Sequence, residues 1–125
     1  TVQDEIQPFN GENEFYWFWH TSADITVNEN RRSVSLKKDG VICKIYFDSN
    51  VDFSITKQDV LTSLPNSPVV EGQNQMPHAA KMHKIVVTFQ SNGEPVIFRA
   101  MAAPFNKTID RDTLTPISGW TISGN

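Results

Sequence analysis

Five aromatic residues stand in succession at Phe15-Tyr16-Trp17-Phe18-Trp19, closed by His20 and Thr21. Five adjacent rings cannot share one face of a regular element. In a strand, Phe15, Trp17 and Trp19 project one way, and Tyr16, Phe18 and His20 project the other. A helix would carry rings around its whole circumference, in a segment rich in β-formers. The segment is therefore read as a strand. Its second face must be covered by something or serve as a binding surface.

The same period of two runs through most of the chain. Ile25 and Val27 alternate with Thr26, and Asn28-Glu29-Asn30 reads as a turn. Val34 and Leu36 alternate with Ser33, Ser35 and Lys37. Asp39-Gly40 follows, a strong hairpin signal because both positions tolerate positive φ. On the return, Val41, Cys43, Ile45 and Phe47 share one face, opposite Ile42, Lys44, Tyr46 and Asp48. Ser49-Asn50 turns the chain, and Val51, Phe53 and Ile55 form the next inward set. Residues 57–81 lose the alternation and hold Leu64-Pro65-Asn66-Ser67-Pro68 and Glu71-Gly72, so they read as one long loop. Alternation returns with Ile85, Val87 and Phe89, then the turn Ser91-Asn92-Gly93. Val96, Phe98, Ala100 and Ala102 then stand opposite Ile97, Arg99 and Met101, and a last short strand is expected around Trp120 and Ile122. No segment has a helical period. The pattern predicts an all-β fold, an antiparallel β-sandwich of about eight strands in a meander, with one face packed and one wet.

A chain of 125 residues can bury a core without staples. The polar stretch 1–13 reads as a linker, residues 14–125 as one domain, and the whole as a piece of a longer polypeptide. A net charge of −3 argues against nucleic acid or an anionic membrane as the main partner. No apolar run approaches the roughly 20 residues that span a bilayer. The single cysteine, Cys43, excludes an internal disulfide and reads as a small core residue.

Reactive constellations are sparse. His20, His78 and His83 are the only histidines, and zinc at His78 and His83 would need at least a third ligand, so no metal site is assigned. Asp48 and Asp52, like Asp110 and Asp112, flank turns, where carboxylates ordinarily bond nearby backbone rather than act as calcium ligands or acid–base pairs. Arg31-Arg32 and Lys37-Lys38 read as a solvated face. No phosphate loop, nucleophile elbow or Cys–His pairing occurs, and no cofactor is implied. The aromatic strand remains. An exposed row of rings could stack on sugar faces. Burial of both faces against a second domain is the preferred reading, because large exposed aromatic patches are rare on isolated monomers.

The order of these segments resembles a known family. Tyr16-Trp17-Phe18-Trp19-His20-Thr21-Ser22-Ala23-Asp24-Ile25 opens the pattern, and Arg32-Ser33-Val34-Ser35-Leu36-Lys37-Lys38-Asp39-Gly40 continues it with an apolar strand ending at Phe47. Ser67-Pro68-Val69-Val70-Glu71-Gly72 then precedes Lys84-Ile85-Val86-Val87-Thr88-Phe89. From residue 15 to 103 the chain resembles the C-terminal β-sheet region of heparinase II/III-like polysaccharide lyases. The resemblance implies an N-terminal α/α toroid in the same polypeptide, β-elimination of uronic-acid polysaccharides, and export to the periplasm or outside a bacterial cell. In that family the catalytic groups come mainly from the toroid and from strands upstream, so no catalytic residue is carried over. The expectation is a non-catalytic accessory domain, inactive alone. Tyr16, Phe18 and His20 would contact the toroid or an acidic polysaccharide. The alternatives are an independent carbohydrate-binding module and an immunoglobulin-like surface spacer.

Overall fold

The computed structural model describes residues 1–60, 82–104, 114 and 116–119. Among these residues the chain forms eight strands: β1 (Val2–Ile6), β2 (Asn13–Thr21), β3 (Asp24–Val27), β4 (Ser33–Lys38), β5 (Val41–Ser49), β6 (Phe53–Asp59), β7 (His83–Ser91) and β8 (Val96–Pro104). A short 3-10 turn follows at Ile117–Gly119. The strands make two sheets, β1-β8-β5-β4-β3 and β2-β7-β6, with every pairing antiparallel. The fold is an antiparallel β-sandwich, as the alternation predicts. No helix among the described residues is long and apolar enough to cross a membrane.

Local sequence accounts for the hairpins. Asp39 and Gly40 adopt φ of 50° and 78°, the left-handed pair that a two-residue hairpin needs, and they set the β4–β5 register Lys38↔Val41. Gly93, at φ 100°, turns β7 into β8. The β3–β4 loop is held by Asn28, whose amide donates to Ser33 Oγ at 2.8 Å while its carbonyl accepts from Ser35 Oγ at 3.1 Å.

The core lies between the sheets. The five-stranded sheet contributes Ile25, Val34, Leu36, Ile45, Phe47, Phe98 and Ala100, and the three-stranded sheet contributes Ile85, Val87 and Phe89. Phe98 joins the layers: its ring lies 5.1 Å from Trp17, 5.7 Å from Phe47 and 4.7 Å from Phe89, the last edge-on. Cys43 packs at the margin of this core, the place its apolar surroundings suggest.

Three features depart from the sequence-based expectation. Val2–Ile6, assigned to a linker, is strand β1 at the edge of the larger sheet, paired with β8 from Val2↔Ala100 to Ile6↔Val96. An edge strand needs backbone partners more than apolar side chains, so its composition concealed it. The chain is not a simple meander, because β6 leaves β5 for the other sheet and β8 returns to pair with β5. Asn50 helps to hold that return: its side chain accepts from Ile97 N at 2.7 Å and donates to Pro95 O at 2.9 Å. Finally, the alternation on β8 is not followed by burial: Met101, expected opposite the packed face, is buried with Ala103, while Ala102, expected to pack with Phe98 and Ala100, is exposed. On the side of Met101, Arg99 donates to Asp48 at 3.1 Å, and the amide of Ile117 donates to Glu5 on β1. Of the expected long loop, 57–59 belong to β6, while 61–81 and the strand expected near Trp120 lie outside the described residues.

Truncating the residue that joins the layers removes contacts in both. Phe98→Ala is expected to cost about 3–5 kcal/mol, read as a lower urea midpoint with an unchanged denaturant slope.

Candidate functional site

Strand β2 alternates without interruption. Phe15, Trp17 and Trp19 are half-buried against the core, and Tyr16, Phe18 and His20 are exposed on the outer face of the three-stranded sheet. Tyr16 keeps 44% and Phe18 39% of its surface open. The inward set is anchored by Trp17, whose ring meets Phe47 at 5.6 Å and Phe98 at 5.1 Å. That anchoring forces the other three side chains outward, since neighbours on a strand oppose one another.

On the outer face the three form a continuous row. Tyr16 and Phe18 are nearly parallel, with centroids 6.2 Å apart, and the His20 ring lies 6.4 Å from Phe18. Strand β7 runs beside them in the register Tyr16↔Thr88, Phe18↔Val86 and His20↔Lys84. Strand β6 then adds Ser54, Thr56 and Gln58. The Lys84 ammonium sits over the Phe18 ring, 5.7 Å from its centroid, in a cation–π contact. Lys84 and Val86 are themselves buried. The sheet therefore presents an aromatic row along β2, bordered by hydroxyl and amide groups, with the Lys84 ammonium buried beside Phe18.

One end of the row is acidic. The Tyr16 hydroxyl donates to Glu14, and Gln90 Nε2 donates to the other Glu14 oxygen at 3.5 Å. The phenol pKa is raised above its ordinary value, first by that hydrogen bond, then by desolvation, then by the negative charge of Glu14. Because the folded value is raised, the phenol's contribution to stability is present below the ordinary tyrosine pKa and is lost as pH climbs through the folded one.

The remaining candidates do not join this row. His83 bonds Asp59 across the β6–β7 ladder, Nδ1 to Oδ1 at 3.2 Å, and the register puts it on the opposite face from His20. His78, Asp110 and Asp112 lie outside the described residues. Asp48 is the partner of Arg99, and Asp52 is exposed. No group of three His, Cys, Asp or Glu side chains gathers among the described residues. Arg32 stacks its guanidinium over Phe53 at 5.3 Å, and Lys38 donates to Ser22 Oγ at 2.5 Å. Lys84 was not anticipated from sequence. Its offset of two from Val86 marks the shared face, but the register that brings it to Phe18 is a tertiary fact.

Comparison with models of known protein families and with characterised proteins finds no match to this chain.

Two measurements follow from the alternation on β2. Trp17→Ala is expected to destabilise the chain by about 3 kcal/mol or more as a large-to-small change against the core, and Tyr16→Ala by well under half of that. Equal small losses in denaturation midpoint would refute the assignment of faces. In alkaline difference titration against Tyr16→Phe, the Tyr16 phenol should ionise above the ordinary tyrosine range and fall back towards it in Glu14→Ala.

Proposed function

We propose that this chain is a non-catalytic β-sandwich module that acts by contact through the Tyr16–Phe18–His20 face. Its partner is an adjacent domain of the same polypeptide. On the resemblance stated above, that neighbour is the α/α toroid of a heparinase II/III-like lyase, which cleaves uronic-acid polysaccharides by β-elimination outside the bacterial cytoplasm. The observation that carries this reading is the row itself. Two large rings remain open beside one another on a strand whose inward side is already committed to the core. Exposed aromatics in a row mark interaction surfaces more often than idle ones, and Tyr side chains are enriched at interface centres.

A second reading is favoured by one feature. The spacing of 6.2 and 6.4 Å along the strand, with Thr88, Thr56 and Gln58 beside it, offers stacking surfaces flanked by hydrogen-bonding groups. That combination suits a glycan as well as a protein.

One experiment separates the two. The chain is mixed with the separately produced region upstream of it in its parent polypeptide, and in parallel titrated with heparin and alginate while tryptophan fluorescence is followed. Association with the upstream region, weakened about tenfold or more by Tyr16→Ala and Phe18→Ala, is the expected result, with no saturable response to polysaccharide. Saturable quenching lost in the same variants would favour the glycan reading. Silence in both arms would remove the proposal.

A further inference from the structure

Strand β2 is the outer strand of its sheet, and among the described residues no backbone hydrogen-bonds to its free edge. Free edges are normally protected by shortness, charge, proline or a bulge. The other three edges show such protection. β3 has only four residues, β1 has five and carries Asp4 and Glu5, and β6 points Lys57 along its inward row opposite Ile85. β2 has none of it. It is nine residues long, lacks Pro, Lys and Arg, and keeps an unbroken register with β7 from Asn13↔Ser91 to Thr21↔His83, so no bulge turns it aside. Its inward rings Phe15, Trp17 and Trp19 stay half-buried, while Ile85, Val87 and Phe89 on the neighbouring strand are fully buried.

We infer that this edge pairs antiparallel with the same edge of a second copy of the chain, joining two three-stranded sheets into one of six strands. Two copies of one strand match inward to inward and outward to outward only in registers that pair odd positions with odd and even with even. Among these, the register centred on Trp17 uses the whole strand; any other shortens the ladder. In that register Trp17 faces the partner's Trp17, Phe15 faces the partner's Trp19, and Tyr16 faces the partner's Phe18. Glu14 then stands opposite the partner's His20, and His20 opposite the partner's Glu14. The strand is therefore complementary to itself in aromatic content, with a carboxylate facing an imidazole that can hydrogen-bond to it at either end, and such cross-strand aromatic and polar pairs are the kind that stabilise a ladder. Pairing along the edge leaves the outer face open, so the aromatic row is doubled rather than covered. The inference stands independently of the partner proposed for that face.

Sedimentation equilibrium over a wide concentration range tests it, with circular dichroism confirming that each variant is folded. The chain should form a dimer. His20→Glu sets like charges opposite one another twice per dimer and should weaken association about tenfold. His20→Lys should tighten it, and Glu14→Lys combined with His20→Glu should restore the affinity lost in His20→Glu alone. A chain that stays monomeric, or a dimer indifferent to these exchanges, would overturn the inference. A monomer that still binds the upstream region would do so while leaving the proposed function standing. A dimer that binds neither that region nor polysaccharide would do the reverse.

Discussion

The contact of Phe98 with Trp17, Phe47 and Phe89 holds the two layers in place. Phe98 and Phe47 belong to the larger sheet, Trp17 and Phe89 to the smaller, so one cluster of four rings spans the interface between the sheets. Rings of this size bury more apolar surface than any aliphatic residue and prefer tilted or edge-on packing, which limits how the layers can slide. Most of the arrangement of β2 follows from it. With Trp17 drawn into the cluster, Phe15 and Trp19 must follow it inward, and Tyr16, Phe18 and His20 are left on the far side.

That far side is chemically mixed. It exposes two rings and an imidazole beside a border of hydroxyl and amide groups, with the Lys84 ammonium buried against Phe18. The carboxylate at its end is engaged by the Tyr16 hydroxyl and Gln90. The contacts seen in the row are stacking, cation–π attraction and hydrogen bonding. The edge of the same strand is a separate resource: its backbone, unpaired among the described residues, lies in the plane of the sheet, at right angles to the direction in which the aromatic row looks. One strand can therefore serve two contacts without competition between them.

Much of the local structure was legible in the residues. Asp39-Gly40 announced its hairpin because few other pairs tolerate φ of 50° and 78° in sequence. The alternations in β2, β5 and β8 correctly separated Trp17 from Tyr16, Phe47 from Asp48 and Phe98 from Arg99. Elsewhere the same signal misled. The polar VQDEI of β1 shows no continuous apolar face, since its place depends on the edge offered by β8. Met101 was expected on a wet face and is buried, and Ala102 was expected to pack and is exposed, because alternation distinguishes the two sides of a strand but not what covers each.

By itself the sequence determined the class of the fold, the turns, and which side chains share a face. These depend on backbone geometry within a few residues, where a period of two and a tolerance for positive φ act directly. Only the tertiary structure decided which strands are neighbours: that β8 lies between β1 and β5, that Lys84 comes to Phe18, and that β2 is an outer strand of its sheet among the described residues. Strand partners are chosen by competition among many apolar faces of similar affinity, settled by how rings such as Phe98 and Trp17 fill one shared interior. No single segment carries that information, and the aromatic run of β2 acquires both an open face and an open edge only from where the other strands lie.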